Sequence, residues 1–504
     1  MIMRADNPGA IFDLHRDGGR TAVVDLTGPA PREVTYAAMA AGCAAVARGL
    51  VRAGLGPGSR VGLASGNRIG FYEVFFGAML AGCVPLPFNI RLADGPFSEL
   101  VSRNDADIVF ADAPTAPRLA DDAGQRLVVF DDGYADFIDP GEFTPVEVPD
   151  AVPLLQPFTS GTTGLPKGMV LSARAVRWAI RQMLPAGRAP DPTVTVTVAH
   201  PLYHKNAMLG SKGAFLNGGR VIMMDLFEPA RFVTAIADWG VTKVHTVPTM
   251  MARIMAQQGL LAGLDQRSIR EVHMGSAPVS QRLFDEVRAA FPRANVRVSY
   301  GVTEAGPMQF GEHPEGKPRP PRSVGCRLRE VELRLVGGPT DDEGMLMIRS
   351  PGVMEGYYGL PEETAKRLDA EGWYATGDIF RRDEDGFYFF VGRNDDMFVV
   401  NGNNLYPATV EETLLAHPDV ATAAVVPVED DMRGALPIAF VVLRQGASSD
   451  AAALKAHCIA TAPAWQHPRY IHFVADLPLA GTGKVDVARL RHAAAAAWQA
   501  ATRA

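Results

Sequence analysis

Cysteine is scarce in this chain. Its 504 residues hold four, Cys43, Cys83, Cys326 and Cys458, scattered and with no C-x-x-C pair or Cys/His cluster. That argues against a disulfide framework or a zinc site. Set beside Ala, Gly and Ile, these thiols read as buried apolar side chains, in keeping with a reducing compartment. An excess of positive charge is also missing. Lys and Arg total 49 against 56 Asp and Glu, a formal charge of −7 and a pI near 5.9. A broad polyanion-binding surface is disfavoured, and with it nucleic acid as a main partner. No run reaches the ~20 apolar residues that span a bilayer; the longest apolar stretch, Phe71 to Phe88, holds Glu73 and two prolines. The start, Met1 to His15, mixes Arg, Asp, Asn and Pro without the apolar core of a secretory leader. No integral membrane segment is expected, and the default location is cytoplasmic. Walker A and Rossmann G-x-G-x-x-G spacings are absent as well.

What remains is a chain built to fold. Hydrophobic residues make up 47% and charged residues 21%, enough for sizeable cores in two to four folding units. Strand and helix patterns alternate from Thr193 to Tyr300. Strands are predicted at 193–199, 243–247, 271–274 and 296–300, with helices at 229–239, 248–258 and 279–290. Arg60–Ser65 and Ile69–Ala81 form an earlier strand and helix, and 107–111 and 127–131 are further strands. That order implies parallel strands joined by crossover helices, an α/β architecture. After about residue 320 the pattern changes to strands with short turns, 330–335, 345–350, 379–383 and 386–392, a smaller β-rich subdomain in which Asp385-Gly386 suits a hairpin. From about Asp395 a last unit mixes strands (421–428, 438–444, 471–474) with helices (409–416, 450–460, 487–500).

Five motifs carry chemistry. Thr159-Ser160-Gly161-Thr162-Thr163-Gly164-Leu165-Pro166-Lys167-Gly168 combines three glycines, four hydroxyls and a lysine, a nest for anionic oxygens that fits phosphate best. Tyr300-Gly301-Val302-Thr303-Glu304 follows a predicted parallel strand, where ligands collect in such sheets. Its hydroxyl and carboxylate suit a phosphate oxygen and Mg²⁺. Asp378 ends Trp373-Tyr374-Ala375-Thr376-Gly377-Asp378, a carboxylate able to accept from both hydroxyls of a ribose. Gly392-Arg393-Asn394-Asp395-Asp396 adds a guanidinium for phosphate, and Gly481-Thr482-Gly483-Lys484 a lysine on a loop. Taken singly, each also reads as an ordinary loop, cap or solvated charge.

Together and in this order the motifs resemble the adenylate-forming superfamily of acyl-CoA synthetases, aryl-CoA ligases, adenylation domains and luciferases. The resemblance implies a large N-terminal domain of α/β layered sheets with a β-rich subdomain, residues 1–394 (the subdomain about 320–394), hinged at Asp395 to a small α+β C-terminal lid, residues 395–504. It also implies ATP, Mg²⁺ and coenzyme A. A carboxylate would attack the α-phosphate of ATP to give acyl-AMP and pyrophosphate, and a thiol, usually that of coenzyme A, would displace AMP. By the same resemblance Thr159–Lys167 handles the β- and γ-phosphates, Thr303 the α-phosphate and Glu304 the magnesium ion. Tyr300, with Gly301 beside it, stacks on adenine, and Gly275-Ser276-Ala277-Pro278 lines the adenine and acyl pocket. Asp378 holds the ribose, Arg393 lies near ribose and phosphate, and Lys484 contacts the acyl carboxylate and α-phosphate. Gly402 stands beside the thiol channel, where Asn403-Asn404 departs from the usual polar or charged pair. His204, in Pro201-Leu202-Tyr203-His204, gates the carboxylate pocket.

The acid is less legible. Lys205, Asn206 and Lys212 are polar for an alkyl pocket, although both lysines are expected to be solvated. Met208, Met250, Met251 and Met308 offer either a soft wall or ordinary core. A short- or medium-chain or aromatic acid is favoured. The acceptor is coenzyme A or, alternatively, a carrier-protein phosphopantetheine thiol in trans. A non-catalytic nucleotide-binding regulator is the reading of a different class, against which Thr303, Glu304, Asp378, Arg393 and Lys484 stand together. A monomer or homodimer is expected.

Overall fold

A computed structural model describes residues 7–119, 126–159, 165–183, 189–400, 402–430, 434–479 and 485–503. The alternation between residues 193 and 300 builds most of a seven-stranded sheet. Its order is Asn295–Ser299, Glu271–Gly275, Lys243–Thr246, Thr195–Val198, Arg220–Met223, Thr21–Asp25, Arg32–Thr35. All neighbours run parallel except Arg32–Thr35, which closes the edge antiparallel to Thr21–Asp25. β-branched residues meet across it, as at Val24↔Ile222 and Val244↔Val272↔Val296, the packing that favours a sheet buried on both faces.

Local chemistry sets the element ends. The helix expected from Val279 begins at Gln281, because Ser280 is its cap and its Oγ accepts from the Leu283 N–H at 3.2 Å. The helix expected over 248–258 breaks in two, Pro248–Met255 and Gln258–Ala262. A second, four-stranded parallel sheet orders Val84–Pro87, Arg60–Ala64, Ile108–Ala111 and Arg126–Val129. Ten residues of the twelve-residue helix Ile69–Leu80 are buried. Apolar on every side but for Glu73, it is a core helix, and at ~18 Å it is too short to cross a bilayer. No helix among the described residues is long and apolar enough to do so. Phe12, Tyr36, Tyr72, Phe76 and Phe215 interlock in this core with ring centroids 5.0 to 6.4 Å apart.

The β-rich stretch is a six-stranded antiparallel sheet that includes Tyr374–Arg382 and Phe387–Arg393. These two form the hairpin expected at Asp385-Gly386. Gly386 takes φ +83°, and Asp383 Oδ1 accepts from the Phe387 N–H at 2.8 Å. Beyond it lies the small C-terminal domain, with Val420–Asp430 and Gly434–Leu443 as its long antiparallel pair and Tyr470–Phe473 alongside. Two apolar clusters lie wholly within it, one from Phe398 to Cys458 and one from Ala424 to Ala494. The large domain has its own clusters, whose members and packed neighbours reach no further than Phe390.

Candidate active site

Four parallel strands of the large sheet end on one side, and their carboxyl-terminal loops supply the floor of a cavity of about 1660 Å³. The strand Thr195–Val198 leads to His200 and His204, Lys243–Thr246 to Val247 and Pro248, Glu271–Gly275 to Ser276 and Pro278, and Asn295–Ser299 to Tyr300, Thr303 and Glu304. Ligands collect at such ends because the loops there are free of the pairing constraints of the strands.

Gly275 ends its strand, where a Cβ would lie a tight 3.0 Å from the Ser299 carbonyl oxygen; contrary to expectation, it does not itself line the cavity. Ser276 follows with φ +67°, a conformation unfavourable for a residue with a side chain. Asn206 Nδ2 donates to Ser276 Oγ at 2.6 Å, tying the start of helix Lys205–Leu216 to that turn. Ala277 and Pro278 line the cavity beside it. Tyr300 is held by the hairpin: its Oη donates to Asp378 Oδ2 at 2.5 Å. Burial, and then the Asp378 carboxylate, push the Tyr300 pKa well above its ordinary value, so the phenol stays a donor. Asp378 sits directly opposite Arg393 in the hairpin register, with Arg393 Nε 3.7 Å from Asp378 Oδ1. Desolvation pulls the Arg393 guanidinium down, but Asp378, Asp396 and Asp395 outweigh it and its pKa stands above the ordinary value. Asp395 also accepts from Arg367 Nη2 at 2.8 Å.

A second group forms around Glu304. The Tyr357 hydroxyl donates to Glu304 Oε1 at 3.3 Å, and burial followed by Glu304 raises the Tyr357 pKa to about 12. Lys167 Nζ lies 5.3 Å from the centre of the Tyr357 ring and 2.5 Å from Glu363 Oε2. The rim of the hydroxyl- and glycine-rich loop is closed by a reciprocal pair, Thr159 N–H to Lys167 O at 3.0 Å and Lys167 N–H to Thr159 Oγ1 at 3.2 Å. Thr159, Leu165 and Lys167 border the cavity; Ser160, Gly161, Thr162, Thr163 and Gly164 lie outside the described residues. So does Lys484. Leu479 pairs with Val485 across its loop, and Val485 borders the same cavity.

Not every expected residue arrives. Gly402 is exposed, takes φ +80° between the strands Phe398–Val400 and Asn403–Leu405, and does not line the cavity; positive φ is what demands glycine there. Gly301 does line it, and a Cβ at Gly301 would meet the Pro307 carbonyl oxygen at 2.4 Å. The expectation that both lysines are solvated is half wrong. Lys205 borders the cavity, but Lys212 is 7% exposed with Nζ 4.9 Å from the centre of the Phe75 ring. Its helix is largely buried, and burial of the ammonium lowers its pKa to about 8. Met208, Met250 and Met251 belong to the core; Met255 is the methionine at the cavity wall. Sequence reasoning missed Tyr357, Arg367 and the Asn206–Ser276 tie, for which no local pattern gives a signal.

A family model described as AMP-binding enzyme matches residues 13–358, and one described as AMP-binding enzyme C-terminal domain matches residues 409–484. The chain belongs to the AMP-binding enzyme family. This enzyme is 32% identical to 4-coumarate–CoA ligase 2 of Oryza sativa subsp. japonica over 91% of its own chain and 87% of that protein. Its fold superposes on ATP-bound MatB from Rhodopseudomonas palustris with a TM-score of 0.87 at 26% identity, covering 97% of this chain and 99% of the other. The amide bond synthetase McbA from Marinactinospora thermotolerans gives 0.80 at 26% identity over 94% and 97% of the two chains. This enzyme is accordingly an adenylate-forming one, of the AMP-forming class.

Proposed function

We propose that this enzyme joins a carboxylic acid to coenzyme A in two steps at one cavity. The carboxylate oxygen attacks the α-phosphorus of ATP, forming acyl-AMP and releasing pyrophosphate. The thiol sulfur of coenzyme A then attacks the acyl carbon, loses its proton and releases AMP. One observation carries the reading: both flanks of the hydroxyl-rich loop, the Thr303-Glu304 turn, the Asp378–Arg393 pair, His204 and Val485 all border a single cavity. Adenylyl transfer needs positioning and charge compensation rather than covalent help, and these are the groups that supply both.

In this reading Asp378 accepts from the ribose hydroxyls while Tyr300 keeps it oriented, Arg393 faces the phosphate, and Thr303 donates to the α-phosphate. Thr159 to Lys167 hold the outer phosphates, and His204 stands at the entry to the acid pocket. Lys484 bridges the acid and the α-phosphate as a mobile cation. The Mg²⁺ fit rests on Glu304, a carboxylate at the cavity wall that accepts from Tyr357 at 3.3 Å. No cluster of three metal-binding side chains exists among the described residues. That suits an ion held by one carboxylate, phosphates and water, which would neutralise charge on the phosphates when bound. The division at 394/395 is part of the proposal, supported by the separate apolar clusters on either side.

The likeness to an amide bond synthetase favours a second reading, in which an amine takes the acyl group from the same adenylate. Acid-dependent ATP–pyrophosphate exchange tests the first step. Thioester and AMP formed on adding coenzyme A, against amide formed on adding amines, separates the two acceptors. No exchange with any acid would end both readings.

A further inference from the structure

The acid end of the cavity holds a group that this chemistry leaves unused. His200 follows the strand Thr195–Val198, borders the cavity and is 8% exposed. Its Nε2 is enclosed and has no hydrogen-bond partner among the described residues. Burial lowers its pKa to about 4, so the imidazole is neutral at neutral pH. The main chain around it is pinned. Asn67 Nδ2 donates to the carbonyls of His200 at 2.9 Å and Met224 at 2.8 Å, and Asn67 Oδ1 accepts from the Leu202 N–H at 2.7 Å. Another histidine of this sheet is spent: His273 bonds Glu271 at 2.8 Å and Ser299 at 3.3 Å.

An enclosed polar atom without a partner costs folding free energy, and a leucine would fill the same space without that cost. The polar choice makes sense where a ligand completes the bond. Asn206 lines the cavity, Gly210 and Gly213 share its helix face, and a Cβ on either would meet nothing within 4 Å. A half-turn of the ring exchanges nitrogen and carbon positions without changing its outline, so a nitrogen can face the cavity.

We propose that His200 is a specificity-determining residue, and that the acid carries an uncharged hydrogen-bonding group, a hydroxyl or carbonyl, remote from its reacting carboxylate. The inference rests on the acid-activating reading above. A neutral imidazole both donates and accepts, which suits a neutral partner. A site built to bond a hydroxyl rejects the analogue lacking it far more strongly than an apolar pocket rejects an added one.

The test is ATP–pyrophosphate exchange by the full chain on alkyl and aryl acids supplied as pairs differing by one hydroxyl or carbonyl oxygen. The wild type favours the oxygenated member of its best pair by ~10²-fold in kcat/KM. His200→Leu reduces that ratio to about 3 or less with a Tm equal to or above wild type, and His200→Gln, which keeps a hydrogen-bonding end, retains at least about a tenth of it. A ratio unchanged in His200→Leu, a uniform loss on both members in both variants, or a wild type that favours the plain acid in every pair overturns the inference. Those results leave acid activation standing, whereas absence of exchange with every acid removes both.

Discussion

Lys212 carries a charge into the interior, where no carboxylate among the described residues pairs with it. Its ammonium faces the Phe75 ring, and burial alone lowers its pKa to about 8 from 10.5. Between those values the unfolded chain holds the proton and the folded chain does not, so stability rises with pH across that window. Lys212→Met removes this dependence. It is expected to be more stable than wild type at pH 7, by roughly 3 kcal/mol at most, with the gap closing towards pH 10.5; urea midpoints of both proteins at several pH values would show it. A gap that widens with pH would mean the amine is not buried as charged. Asp378 sets the opposite case, a buried carboxylate with two partners already in place, Tyr300 and Arg393. Asp378→Asn is expected to raise KM for ATP by ~10-fold or more with a smaller effect on kcat, since the bond is made in ground and transition states alike. Unchanged KM for ATP in steady-state assays would remove the ribose role.

At the scale of elements, the informative unit is the hairpin Tyr374–Arg382/Phe387–Arg393. Its Asp-Gly turn was legible, and turn geometry sets the register, which puts Asp378 opposite Arg393. The strand ends carrying Ser276 and Tyr300 were equally legible, because short apolar segments alternating with helical ones mark parallel strands, each running into a loop at its carboxyl end. Nothing local announced Tyr357 beside Glu304 or Arg367 beside Asp395, whose partners lie 53 and 28 residues away. Asp395 lies in a 3₁₀ turn, Asn394–Asp396, at the proposed hinge. Asp395→Pro is expected to slow one half-reaction several-fold more than the other, as a stiffened hinge would hold the lid in one position. Equal slowing of acyl-AMP formation and of thioester formation would sink the hinge.

For the whole molecule the question is how one cavity would serve the two proposed reactions. Val485 at its border and the separate apolar clusters of the C-terminal domain fit a lid that turns as a body. Lys484→Ala is expected to cut acyl-AMP formation by ~10²-fold or more while sparing thioester formation from supplied acyl-AMP. Separate single-turnover assays of the two steps would measure it, and an equal loss in both would contradict a cation needed in one step only.

Period, turn chemistry and motif order determined the element types, the α/β class and the family, because these depend on residues close in the chain or on residue type alone. Only the tertiary structure decided which polar groups are buried, which find partners, and which are left to face the cavity. Lys212 and His200 look like solvated or ordinary residues in a string of letters; their meaning comes from helices and strands distant in sequence that exclude water around them, and desolvation is a property of the packed whole.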